Sequence, residues 1–544
     1  MNNSAISEAD RRFEGLKSEF VNGWKTSCMD LRDYIQPTRG NFDEDIEKRG
    51  EMIDHQKVLD GYASIASEIL ASGLLSGMTS PSRPWFKLAI DDDLFNNEPI
   101  VRQWLDDTEK RIRTVLNQSN TYQALYGTYK EIGTFGSGAF IVLEDFEDVV
   151  RIHTFTSGEY FLGIDNRGRV TSFAREYWMT VEQLVNEFGL ESCSPQVQSQ
   201  WQTGKRNAYH QVKHLIEKND YKIEGVPENG MEFRSLYWEA GNKAGDFLAK
   251  RGFNRFPIIA PRWETVTTSQ VYGKGPGWNA LGDIKQLQKT TDDKLKIQEK
   301  LHNPPVTADD DIEGFINLVP GGVSRTSPNA PDGGVRPAYT VPDALQSFIE
   351  METHLKENID KFFFVNLFLM LINIDKTNMT ATEISERQQE KIMMMGPILH
   401  RLQEELLDPL IDLIFGVMLD NGLIAPPPEQ IQGLELRVRY ISVLAQAQEA
   451  VGVNQIKRVM ESALAISQAR PDILDNFNFD EIAKQLNEME GAPAKLILDQ
   501  EAIDELRAQR QQVQAAQQLA VIGKDGGAAV DSMASANQKL TESQ

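Results

Sequence analysis

The sequence predicts an α+β fold organised around long helices, and three observations carry that prediction. Apolar residues recur at helical spacing through most of the chain ahead of Gly136, after which the period shortens to the alternation of strands. Beyond that point strands and helices do not alternate as βαβ units, which argues against a doubly wound enzyme fold. Two long helical patterns, at 278–301 and 343–370, then enclose an insert rich in Gly and Pro.

Taken in order, Phe13, Leu16, Phe20, Trp24, Leu31 and Ile35 line one helical face that Pro37 ends. A second helix is expected from His55 to Leu75, carrying Leu59, Ile65, Ile69 and Leu74, with Gly73 and Gly77 permitting close approach of a neighbour. Residues 79–84 form a turn cluster and Trp85-Phe86-Lys87-Leu88 opens a strand, so Arg83 beside Trp85 reads as a structural corner ahead of a binding site. Helices follow at 99–117 and 119–133. Strands are expected at 139–144, 149–156, 160–164 and 170–177, with a turn at Asp165-Asn166-Arg167-Gly168. A helix over 179–188 takes Thr180 as its cap, 192–209 reads as a polar surface excursion, and strands return at 210–217, 231–238 and 246–250.

Three local patterns suggest chemistry and are better explained without it. His210 and His214 are four apart, but Val212 and Leu215 indicate an extended segment, and no acidic or Cys partner follows at ligand spacing. Tyr272-Gly273-Lys274-Gly275-Pro276-Gly277 lacks the spacing of a phosphate loop and reads as a flexible entry to the next helix. Asp309-Asp310-Asp311 could hold a hard cation, although a solvated acidic turn is the ordinary use of such a run.

The helix at 278–301, with Leu281, Ile284, Leu287, Leu295 and Ile297, is too polar to be a bundle core by itself but can pair with 343–370. That second rod would span about 40 Å. Its stripe is Leu345, Phe348, Leu355, Ile359 and Phe362, interrupted by Glu352, and Glu350, His354, Glu357 and Lys361 share its polar face. Short strands are expected at 316–319 and 335–339, at the shared tip of the rods. Residues 373–379 break the pattern, Thr380-Ala381-Thr382-Glu383 reads as a capping box, and a long helix runs on to Leu419 with Pro397 and Pro409 bending it. The two long helices on either side of this break make either a hairpin or a rod bent at its joint.

Residues 434–440 alternate as a strand, with Leu434, Leu436, Val438 and Tyr440 on one face and Glu435, Arg437 and Arg439 on the other. Helices are expected at 442–469, 482–489 and 494–518, and the Gly/Ala/Ser/Gln-rich 523–544 as disordered. The 544 residues allow several domains, and the net charge of −24 argues against general duplex binding, which needs many basic phosphate contacts. It leaves room for DNA that is enclosed and not gripped. Only Cys28 and Cys193 are present, so a reducing compartment is the default, and the polar amino terminus has no signal-peptide core. The apolar stretch 362–372 is too short for a membrane span, so no direct membrane insertion is expected.

The run Ala71-Ser72-Gly73-Leu74 through Ser80-Pro81-Ser82-Arg83-Pro84-Trp85-Phe86 is followed by Pro261-Arg262-Trp263. Tyr272-Gly273-Lys274-Gly275-Pro276 then leads to Asp283-Ile284-Lys285, and Thr382-Glu383 precedes the long helix. In this order, with two rods around an insert, the chain resembles the bacteriophage portal proteins, specifically the head-to-tail connector family of T7-like short-tailed phages, over roughly residues 8–520.

The resemblance implies a portal fold assembled as a cyclic ring, a homo-oligomer of twelve subunits at the capsid's portal vertex, with double-stranded DNA passing through its channel. The wing would be 1–277 with the long helix and strand of 381–441, the stem 278–301 and 343–370, and the clip 302–342. A tunnel loop would occupy 371–380, a helical crown 442–520 and a disordered tail 521–544. Implied partners are terminase, scaffold protein, major capsid protein, tail adaptor or nozzle proteins, and internal core or ejection proteins. The chain would assemble in the host cytoplasm and remain in the virion. Asn373, Asp375, Lys376, Thr377 and Asn378 would face the DNA, with Lys376 touching either a phosphate or a neighbouring subunit. No catalytic residue, metal or cofactor is expected. Two rivals remain: a nucleic-acid-processing enzyme, which needs a phosphate loop or clustered metal carboxylates, and a virion scaffold or adaptor that forms no bored ring.

Overall fold

The computed structural model describes residues 5–42, 57–90, 98–219, 230–242, 246–308, 335–338, 345–372, 394–434 and 436–446, with short stretches between 459 and 510. The chain divides into two compact units, Met1–Gln448 and Glu449–Gln544. Of the second, the described residues include the helical turn 462–467, whose Leu464 and Ile466 are exposed.

Among the described residues of the first unit, helices include α1 (Ala5–Gly23), α2 (Lys25–Tyr34), α3 (Tyr62–Met78), α4 (Pro99–Gln118), α5 (Thr121–Phe135), α6 (Val181–Phe188), α7 (Pro195–Gln202), α8 (Pro276–His302), α9 (Leu345–Phe362), α10 (Val365–Ile372) and α11 (Asp408–Asp420). The strands among those residues are β1 (Phe86–Ile90), β2 (Ala139–Asp145), β3 (Val149–Phe155), β4 (Tyr160–Ile164), β5 (Val170–Thr180), β6 (Tyr209–Lys218), β7 (Phe233–Glu239), β8 (Ala249–Phe253), β9 (Ile258–Ile259), β10 (Val306–Ala308), β11 (Val335–Pro337) and β12 (Leu436–Tyr440). An antiparallel sheet runs β4-β5-β6-β7-β8, a second runs β3-β2-β9, and β1-β12 and β10-β11 stand as pairs. The α+β reading therefore holds.

The core gathers around α3, which buries Ala63, Ala66, Leu70, Ala71 and Leu74 and packs on α5 and α10. Its small residues let those neighbours approach closely. An aromatic cluster joins α1 to the large sheet: Phe13 meets Phe161 and Trp238 edge-on at 5.8 and 5.9 Å. The single helix expected up to Pro37 is instead two, because the chain turns at Trp24, whose ring packs on Tyr272 and, at 5.3 Å, on Trp278. Partial burial of the Trp24 ring against these two aromatics offsets the distorted turn, across which Trp24 N still donates to Phe20 O at 2.8 Å.

Elsewhere the departures are local. The helix expected from His55 starts at Tyr62, whose N–H is accepted by the Asp60 carboxylate. The polar stretch 192–209 contains α7, begun by Ser194, whose hydroxyl accepts from Val197 N, and by Pro195 in the first turn. Thr180 caps α6 with a full capping box while itself ending β5, so the helix begins two residues later than expected. The strand expected at 246–250 lies at Ala249–Phe253, in register with β7. The two-residue β9 carries too little pattern to be read. Residues 316–319 and the cap at 380–383 lie outside the described residues.

Far along the chain, β12 returns to pair with β1, Phe86 opposite Tyr440 and Ile90 opposite Leu436. Trp85 is buried there and stacks on Tyr440, which fits the structural reading of that corner. The expected helix ending near 419 is described from 394: helical over 394–402, a π-turn over Gln403–Leu407, then α11. The wide turn sits just ahead of Pro409, which lacks the N–H an α-helix would use there.

Candidate assembly surface

The rod pair is built from α8 and α9. The first part of α8 is core: Ala280, Ile284 and Leu287 are buried, and Trp278 Nε1 donates to Phe135 O at 2.8 Å. Past Thr291 the helix turns polar and leans on α9. Polar side chains fix the pairing. Thr291 Oγ1 and Lys294 Nζ both reach Glu352, at 3.4 and 2.6 Å, and Glu352 is buried although it interrupts the apolar stripe. Gln288 holds the Leu59 and Asp60 amides through its side-chain oxygen, while Lys356 pairs with the Asp60 carboxylate at 2.8 Å. β10, which follows α8, pairs antiparallel with β11, which precedes α9, so the rods share that end and run antiparallel.

What the rods leave uncovered is as informative. Leu295, Leu301, Ile349 and Met351 are all exposed, interleaved with the ion pairs of Lys289 and Lys296 to Asp292 and with exposed Glu350, His354, Glu357 and Lys361. Apolar side chains rimmed by charge on a two-helix projection form a surface suited to lateral packing.

The rod expected over 343–370 is not continuous. α9 ends at Phe362, Phe364 takes a left-handed φ of 54°, and α10 resumes at Val365. Tyr62 Oη donates to Asp360 at 2.8 Å on one side of the joint, and burial with this bond pushes the phenol up to about 12. On the other side Phe368 fills the space over Gly73, where a methyl group would overlap its Cβ and ring. Gly73 thus serves the close approach its position suggests.

The other motifs take structural roles. Gly136 closes α5 at φ 84° and lies against the backbone of Gly273 and Gly275, with no room for a Cβ at any of the three. The glycines of 273–277 therefore serve backbone packing. Arg262 is almost fully buried: Nη1 donates to Gln270 O, Nη2 to Gly168 O, and Nε and Nη2 to the Glu405 carboxylate within the π-turn. This bidentate pair ties the loop at 261–263 to the long helix, a link between distant segments that no local spacing reveals.

His210 and His214 lie on β6, in its extended register, and both rings are engaged by other side chains. Arg175 Nε donates to His214 Nδ1 at 3.2 Å, so Nε2 carries the proton and donates to Ser235 Oγ at 2.9 Å. His210 Nε2 pairs with Gln200 Oε1 at 2.6 Å. Burial, with Arg175 and Arg251 nearby, drives the His214 pKa well below its usual value. Among the described residues no cluster of His, Cys, Asp and Glu could hold a metal, and no helix is long and apolar enough to cross a membrane. Asn373, Asp375, Lys376, Thr377 and Asn378, and the Asp309-Asp310-Asp311 run, lie outside the described residues.

Comparison with known proteins places the sequence among relatives. The family described as bacteriophage head to tail connecting protein matches residues 7–498. A probable portal protein of Bordetella phage BPP-1 is 37% identical over 520 residues, covering 95% of this chain and 93% of the relative. The portal protein of Salmonella phage epsilon15 is 36% identical over 512 residues, covering 93% and 91%. Among solved structures, a chain from the virion of a native gene transfer agent particle is matched with a TM-score of 0.37 at 12% identity, over 88% of this chain and 99% of that one.

Proposed function

Because the chain belongs to the bacteriophage head-to-tail connecting protein family, we propose that it is the portal of a phage capsid: a closed ring through which double-stranded DNA is packaged, retained and released. The observation that carries this reading is similarity to two portal proteins along more than nine-tenths of the chain. The exposed apolar residues of α8 and α9 support it, since neighbouring copies would cover what one chain leaves bare.

In this reading twelve subunits stand side by side. Residues 278–301 and 343–370 form the stem, 302–342 the clip, 1–277 with 381–441 the wing, 442–520 the crown and 521–544 a tail. The clip and lower stem dock terminase during packaging and tail adaptor or nozzle proteins afterwards. Scaffold, major capsid protein and internal core or ejection proteins meet the ring on its other surfaces. The mechanism is confinement and docking without bond chemistry; ATP hydrolysis belongs to a separate motor. A net charge of −24 per chain repels the passing phosphates, so the genome slides instead of adhering. Asn373, Asp375, Lys376, Thr377 and Asn378 form the loop nearest the DNA, where a ring of Lys376 side chains gives brief phosphate contacts.

Deletion of 302–342 tests the docking assignment. The shortened chain is expected to assemble and yet lose both terminase and tail proteins in pull-downs; a deleted ring that still binds both defeats it.

A further inference from the structure

We propose that the joint between α9 and α10 is a two-state hinge, bent as described here and straight in a second state where 345–372 forms one helix and α10 has left α3. The observations concern one chain, so the proposal goes beyond the ring reading and does not depend on it.

The joint itself is strained. Phe364 sits at φ 54°, a region bulky side chains rarely adopt, whereas the chain ends α5 with a glycine at φ 84°. Nothing in the local sequence asks for a break, because residues 343–372 contain neither Gly nor Pro. The bend is therefore imposed from outside. Asp360 is held by Tyr62 Oη, Lys356 by Asp60, and α10 by its packing on α3, with Phe368 seated over Gly73. Two of these anchors precede the joint and one, the packing of α10 on α3 through Val365, Leu367 and Phe368, follows it, so α10 can leave α3 while α9 stays in place.

The bent state also leaves apolar side chains partly exposed. Phe362 and Leu369 are 37% and 40% exposed, one on each side of the break. Seven residues apart, they would share one face of an unbroken helix. Straightening relieves the backbone at Phe364 and restores the missing helical hydrogen bonds, at the cost of the α10–α3 contact. Opposing terms of this kind, centred on a single residue, make a switch.

Dipolar electron-spin spectroscopy on the full chain tests the proposal. Labels go at Gln346→Cys and Leu369→Cys, diluted in excess unlabelled chain so that only distances within one chain are read. Cys28 and Cys193 are buried and their thiols are pushed up to about 12 and about 11, so they resist labelling. A straight helix sets the labelled backbone positions about 35 Å apart, and the bend shortens that span.

The expected result is two distance components. Phe364→Gly, which removes the strain and weakens the straight helix, should cut the long component at least threefold. Gly73→Ala, whose methyl group collides with Phe368, should raise it at least threefold. A long component absent from all three chains, or unmoved by Phe364→Gly, overturns the proposal. The Phe364→Gly arm decides alone if the Gly73→Ala chain does not fold.

Discussion

Lys294 Nζ lies 2.6 Å from the carboxylate of Glu352, bridging the two rods at a point where the Glu352 side chain is only 11% exposed. A carboxylate inside an apolar stripe is costly unless a cation meets it, so the pair sets the register of α8 against α9.

Removing one partner should therefore hurt more than removing both. Lys294→Ala is expected to lower stability by about 1–3 kcal/mol, whereas Lys294→Met with Glu352→Leu should fall within about 1 kcal/mol of the parent. Denaturation followed by a probe on the rods measures both. Equal losses in the single and double variants would show that the pair does not set the register.

His214 gives a pH dependence with a definite sign. Its folded pKa is depressed, so its contribution to stability is intact above the unfolded value near 6.5 and is lost as pH falls below it. The loss can reach about 1.4 kcal/mol per pH unit until the folded pKa is passed. His214→Gln can still accept from Arg175 and donate to Ser235 without titrating. Its thermal midpoint should fall less than the parent's between pH 7 and pH 5, and parallel curves would refute the assignment.

Lys376→Ala should leave assembly intact and change DNA handling. The readout is packaged genome length and retention in particles built with the variant. Normal packaging and retention in those particles would remove Lys376 from the DNA path.

Much of the fold was legible in the sequence because it rests on periodicity. The alternation at 139–177 and 434–440 gave strands β2 to β5 and β12, and the rods flanking the Gly/Pro-rich insert gave α8 and α9. What could not be read depends on tertiary contact. The break at Trp24 comes from an aromatic cluster, the Phe364 bend from α3 and Asp60, and the π-turn is clasped by Arg262 from a loop more than a hundred residues away. Glu352 looked like a defect in its stripe because its partner, Lys294, belongs to the other rod. The resemblance motifs were recognisable, yet their physical roles emerged only when Gly136 met Gly273 and Gly275 and when Arg262 reached Glu405.

The central claim is that copies of this chain close around a DNA-wide bore. Electron microscopy of the purified full-length protein, with classes sorted by rotational symmetry, tests it most directly. The account predicts closed rings of about twelve subunits with an open axial channel able to admit a duplex. Single chains, open filaments or solid clusters without a bore would contradict it.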